Sequence, residues 1–199
     1  MTPQDKLLEA KKWFDGSVDL AQGLRTDQKL HSSILEAVDI LSLAARRGNK
    51  ILIFGNGGSA AQAQHFATEL VCRFRKDRRA IAAIALTTDS SILTAQSNDS
   101  GFQSVFSRQL EALCDLGDVV IGITTSDVSG EHSKNIENGF HIAQEDGAKT
   151  IGLFSERTKK LLSLADVSII VPNSDTARIQ EAHQTIIHLL CELIEEDID

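Results

Sequence analysis

From Asp5 to about Leu43, apolar side chains return at helical spacing: Leu7, Leu8, Trp13 and Phe14, then Leu30, Ile34, Leu35, Val38 and Leu41. Two helices are predicted there. Thr26 or Asp27 caps the second, because a short polar side chain can accept from the free amides of a helix start. Gly48 ends it, since glycine tolerates the left-handed turn beyond a helix C-terminus. The period then changes. Short apolar runs at 51–54, 81–86, 119–123, 150–154 and 167–171 alternate with longer amphipathic stretches. Runs of that length, apolar on both faces and separated by helical patterns, suit strands of a parallel sheet covered on both sides. A closing helix is predicted from Thr176 to about Glu196, with Ile179, Ala182, Ile186, Ile187, Leu190 and Leu193 on its apolar face. The pattern predicts an α/β fold: a three-layer α/β/α sandwich with a five-stranded parallel sheet, preceded by two N-terminal helices. One domain is expected over 1–199, with the helices in 1–48 and the sandwich in 49–199.

Composition narrows the partners. At 199 residues and 42% hydrophobic, the chain can bury one good core. A formal charge of -8 argues against nucleic acid, whose phosphates call for clustered Lys and Arg. The one basic run, Arg73 to Arg79, reads first as a solvated helix end and second as a neighbour of a substrate phosphate. Cys72, Cys114 and Cys191 are odd in number and far apart, which suggests neither a disulfide framework nor a cysteine-rich metal site. No apolar run approaches the roughly 20 residues of a membrane span. A cytoplasmic protein with no membrane partner is expected.

Candidate chemistry lies in the loops after the strands, where ligands bind in such sheets. After the first strand come Gly55, Asn56, Gly57, Gly58 and Ser59, leading into a helix. Adjacent glycines let a ligand approach the backbone, and the free amides of the helix start favour an anion or a sugar. The spacing is neither a dinucleotide fingerprint nor a P-loop. The third strand ends in Thr124, Thr125 and Ser126, followed by Ser129, a hydroxyl-rich loop suited to phosphate. His65 and Glu69 are four residues apart on the helix after the glycine turn, hence on one face. Such a pair can hold a divalent metal or divide acid and base duties; it can equally be a surface pair that supports its helix. His188, between Ile187 and Leu189, reads in isolation as a core or interface residue.

Taken together, residues 55–70, 85–89, Asn98-Asp99 with Gly101-Phe102, and 176–188 resemble the sedoheptulose 7-phosphate isomerase (phosphoheptose isomerase) family of sugar-isomerase (SIS) domains, with a flavodoxin-like sheet. The likeness covers nearly the whole chain in order. It implies an enzyme that converts sedoheptulose 7-phosphate to D-glycero-D-manno-heptose 7-phosphate through an enediol, for nucleotide-heptose and cell-surface glycan (lipopolysaccharide) synthesis. By the resemblance, Glu69 and His188 are the acid/base pair, and His65, Glu69, Gln180 and His188 bind one zinc per site. The sugar phosphate would meet Asn56, Gly57, Gly58, Ser59, Glu69, Asn98, Asp99, Thr124, Thr125, Ser126, Ser129 and Gln180. The family also implies a homotetramer, for which the two leading helices are natural packing elements. Gln180 and His188 are eight residues apart, about 12 Å of rise and roughly 80° of rotation on one helix. Either that helix bends or a neighbouring subunit supplies one of the two, placing the site at a subunit interface.

Two loops depart from the family. Where relatives read Thr-Ser-Gly-Asn-Ser, this chain has a longer segment, Thr125 to Ser133, that brings Asp127 and Glu131 towards the expected phosphate. Carboxylates there repel a dianion unless they point away. The last hydroxyl of the cradle is Ser129 or Ser133. Leu153 to Arg157 also replaces a glycine-rich turn, which leaves an isomerase for a different sugar phosphate as an alternative. The rival of another class is a non-catalytic relative that binds a replication initiator and lacks the glutamate and final histidine; Glu69 and His188 are both present here. Sugar-phosphate-sensing relatives carry an added DNA-binding domain for which this chain has no room.

Overall fold

The computed structural model describes residues 1–198. Two helices come first, α1 (Pro3–Thr26) and α2 (Gln28–Arg47). Asp27 caps α2 by accepting from the Leu30 amide, and Gly48 closes it with φ 78°. The apolar stripe of α2, from Leu30 and Ile34 through Val38 and Leu41 to Ala45, is buried. Each Leu or Ile there contributes about 1.5–3 kcal/mol of transfer free energy.

Strands β1 (Ile51–Gly55), β2 (Ala83–Ala85), β3 (Val119–Ile123), β4 (Lys149–Ser155) and β5 (Val167–Val171) form one parallel sheet in the order β2-β1-β3-β4-β5. Alternation along the strands divides the core. Ile51, Ile53, Ile121, Ile151 and Ile169 face α2, α3 (Gly58–Val71) and α7 (Thr176–Ile198). Leu52, Phe54, Val120 and Phe154 face the other way, towards α5 (Ser107–Leu113) and α6 (Lys134–Glu145). Both faces are covered, so the apolar runs of the sequence carry no polar side. The direction of winding reverses between β1 and β3, and the crevice beyond their C-terminal ends is where this topology accepts ligands.

Two expectations need correction. The second apolar run does not form a strand over 81–86. Ile81 donates its amide to the Leu70 carbonyl at the end of α3, so only three residues remain to pair with β1 at the sheet edge. The basic run is not a solvated helix end. Its backbone amides at Phe74, Arg75 and Lys76 converge on the buried Glu195 carboxylate of α7 at 2.8, 2.8 and 2.9 Å. Arg78, also buried, lies with Nε 3.0 Å from the same carboxylate. Burial pushes the Glu195 carboxyl up, but the amides of Lys76, Phe74 and Arg75 and the Arg78 charge outweigh it and hold it below the usual range.

Candidate functional site

The glycine turn sits at the C-terminal end of β1. Gly57 has φ 55° and ψ -120°, a conformation that L side chains rarely adopt. Gly58 is a close approach instead: the Gln180 amide of α7 lies where its Cβ would stand. Gln62 donates to the Gln180 carbonyl at 2.8 Å and locks α3 against α7 at this point. Asn56 and Asn135 exchange amide hydrogen bonds at 2.9 and 2.8 Å, which ties the turn to the start of α6. Asn135 is buried and was not legible in the sequence, because its partner is 79 residues away. Ser59 is buried in the first turn of α3.

Across the crevice, the hydroxyl loop leaves β3. Thr124 accepts from the Ser126 amide at 3.2 Å and donates to its carbonyl at 3.0 Å, a tight local turn. Ser126 Oγ is 2.9 Å from His132 Nε2. Ser155 and Arg157, at the end of β4, both donate to the Thr125 carbonyl, so the altered β4 loop braces this segment from behind. The additional residues form a small hairpin in which Ser129 and His132 pair around Gly130 and Glu131. Ser129 and Glu131 are exposed on it, whereas Ser133 is buried at the start of α6 with φ 57°. Asp127 bonds the segment that follows β4. Its carboxylate accepts from the Lys160 amide at 3.0 and 3.1 Å, ahead of the 3-10 turn Leu161–Leu164. Burial raises its carboxyl, and the amides of Lys160, Val128, Lys159 and Leu161 more than reverse that.

The third group stands on α3 and α7. His65 Nε2 is 2.9 Å from His188 Nε2 and 3.3 Å from Glu69 Oε1. One donor atom from each of the three lies within 4.8 Å of the others, and all three residues are half-buried. Two imidazole nitrogens this close either share one proton or aim both lone pairs at a cation. Ligands of a tetrahedral zinc are about 3.3 Å apart, given bonds of about 2.0 Å, so the set fits a divalent ion with an open position. Gln184, one turn before His188, puts its amide 3.1 Å from His188 Nε2. Sequence reasoning missed it, although its spacing of four from His188 was a usable signal. Phe74 stacks on the His188 ring, centroids 5.4 Å apart and planes at 24°.

The predicted residues therefore fall in separate places. His65, Glu69 and His188 come together. Gln180 belongs to the glycine turn, about two helical turns before His65 along α3, and α7 is continuous from 176 to 198. Asn98 and Asp99 lie exposed near the end of α4 (Ser90–Ser100), which buries no residue; Asn98 donates to the Asp99 carboxylate at 2.9 Å. The cysteines are free, and burial pushes the Cys114 thiol up to about 11. Among the described residues no helix is long and apolar enough to cross a membrane.

Comparison with known proteins identifies the family and the fold. The SIS-domain family model matches residues 12–155. The phosphoheptose isomerase of Aquifex aeolicus (strain VF5) is 53% identical over 163 residues, covering 82% of this chain and 83% of that protein. That of Citrifermentans bemidjiense is 45% identical over 192 residues, 96% and 97% of the two chains. Among solved structures, phosphoheptose isomerase GmhA from Neisseria gonorrhoeae superposes with TM-score 0.86 at 37% identity, over 98% of this chain and 100% of the other. The Francisella tularensis phosphoheptose isomerase gives 0.88 at 32%, with the same coverage.

Proposed function

Because the chain belongs to the phosphoheptose isomerase family of SIS domains and is a sugar-phosphate isomerase, we propose that its substrate is sedoheptulose 7-phosphate and its product D-glycero-D-manno-heptose 7-phosphate. The reading rests above all on the convergence of His65, Glu69 and His188 between α3 and α7.

Ketose–aldose exchange moves a proton from C1 to C2 through an enediol and shuttles protons between the two oxygens. A carboxylate suits the carbon and an imidazole suits the oxygens. Glu69 takes the C1 proton and returns it to C2; His188 carries protons between O1 and O2. His65, Glu69 and His188 would hold a zinc ion, which when bound polarises the carbonyl and stabilises the enediolate oxygen. Gln180, the fourth ligand the resemblance implies, reaches such an ion only if its amide leaves Gly58 or comes from a neighbouring copy. In its present position it serves the sugar.

The phosphate end falls to the Thr124, Thr125 and Ser126 loop and the start of α6. Ser133 suits the last hydroxyl position better than Ser129, since it stands at the helix start while Ser129 stands on the exposed hairpin. Asp127 accepts from the Lys160 amide, so its charge is partly answered within the protein. Asn98 and Asp99, exposed on α4, are read as contacts completed in a homotetramer whose sites lie at subunit interfaces. We place the enzyme in the cytoplasm, feeding nucleotide-heptose synthesis for cell-surface glycans.

The direct test is incubation of the purified protein with sedoheptulose 7-phosphate, with zinc and after chelation, followed by detection of the aldose. Zinc-dependent formation is expected. No turnover of this ketose alongside turnover of another sugar phosphate would overturn the substrate assignment.

A further inference from the structure

The loop from Arg73 to Arg79 is the part of the molecule that the proposed chemistry leaves unexplained. Its docking on α7 is built at unusual depth for a surface loop. Glu195 is buried, receives three consecutive backbone amides, and faces the equally buried Arg78. Arg78 in turn donates to the Glu69 and Leu70 carbonyls at 2.8 and 2.9 Å, so the same side chain also finishes α3 at the residue proposed as the base.

Glu195 lies seven residues after His188, two helical turns, and so on the same face of α7. A loop gathered onto Glu195 must therefore cross that face beside His188, and Phe74 is the residue that meets it. The two rings lie nearly parallel, 24° apart, at 5.4 Å. His65 and Gln184 approach the His188 ring at Nε2, 2.9 and 3.1 Å away. The His65 ring also meets His188 edge-on, centroids 5.1 Å apart at 61°, a contact that leaves a face of the imidazole open. A flat ring stacked on that face restrains its plane. Arg75 completes the support: its guanidinium lies 5.1 Å from the centre of the Phe74 ring and pairs with Glu192 at 2.7 Å.

We propose that Phe74 is a positioning residue for the His188 imidazole, and that the Glu195 carboxylate acts through it by fixing the 73–79 loop to α7. The proposal rests on the reading of His188 as a residue of the isomerase site. Phe74 touches no reacting atom in this account; it sets the angle at which His188 meets the substrate.

The test uses the zinc-loaded full-length enzyme and sedoheptulose 7-phosphate. Phe74→Leu keeps an apolar side chain but loses the flat face, and kcat is expected to fall about tenfold or more, as for a misaligned catalytic group, with KM within about twofold. Phe74→Tyr restores the face and should return kcat to within about twofold of the parent. Glu195→Gln should lower kcat in the same way, and the double variant with Phe74→Leu should be no slower than Phe74→Leu alone. Wild-type kcat in Phe74→Leu, or equal losses in the Leu and Tyr variants, would overturn the proposal. Additive losses in the double variant would overturn the role of Glu195. If Glu195→Gln does not fold, as a thermal melt would reveal, the Leu and Tyr pair decides. His188→Gln separates the two levels of the argument: an inactive His188→Gln beside a fully active Phe74→Leu removes the positioning claim alone, whereas a fully active His188→Gln removes the reading beneath it.

Discussion

Among the described residues His183 is the fully buried imidazole, on α7 against the Phe154 carbonyl of β4. Its Nε2–H donates to the Phe154 carbonyl at 2.9 Å, which fixes the neutral tautomer. Burial pushes it down to about 4, against the smaller upward effect of that bond. The unfolded chain binds a proton there near pH 6.5 while the folded chain does not, so its contribution is full above that pH and is lost as the pH falls towards 4. At pH 5 the loss is about 2 kcal/mol. Urea unfolding at pH 7.5 and pH 5 should show a drop of that order in the parent and a much smaller one in His183→Gln. Sequence places His183 and His188 on this helix without separating their roles. His183 and His188 look alike in an apolar helix, and only the carbonyl at Phe154, 29 residues away, and the ring of His65, 123 away, tell them apart.

The elements whose formation depends on local pattern were legible: the caps of α2 at Asp27 and Gly48, the central strands and the length of α7 all follow from spacing within a few residues. What sequence hid was docking between distant segments. Nothing in residues 73–79 announces that Glu195 will collect their amides, and the run was read by its charge instead. The hydroxyl loop gives the same lesson. By sequence Asp127 repels a phosphate unless it points away, and its carboxylate is taken up by the turn at Lys160 and Leu161. Asp127→Asn should therefore leave KM for the sugar phosphate within about twofold, and cost about 1 kcal/mol of stability through weaker amide bonding. A clear fall in KM would mean that the carboxylate does face the phosphate.

On the scale of the molecule, α1 is a 24-residue helix with no buried residue. Leu7 is 73% exposed and Phe14 70%, and Leu8, Trp13 and Val18 are exposed beside them. Its C-terminal half packs Leu20 and Leu24 against the core, and nearer its start the tie is made by Arg178, whose guanidinium bonds the Trp13 carbonyl and Ser17 and lies 4.3 Å over the Trp13 ring. A groove of about 450 Å³ opens between α1, α2 and α7, lined by Leu20, Leu24, Ile34 and Leu189. Apolar area on this scale supports the homotetramer proposed above. Replacing Leu7 and Phe14 by Glu should shift the sedimentation of the protein to smaller species and lower turnover, because sites completed by a neighbour would be lost. The central claim is that this cluster moves a proton between the first two carbons of a ketose phosphate. The measurement closest to it is proton NMR of sedoheptulose 7-phosphate with zinc-loaded enzyme in D2O. The parent is predicted to yield the aldose, with deuterium at C2 to the extent that the protonated Glu69 exchanges with solvent before returning the proton, and Glu69→Gln, folded and of the same size, to yield neither aldose nor exchange. Aldose formation at the parental rate in Glu69→Gln, or no aldose with the parent, would contradict the account.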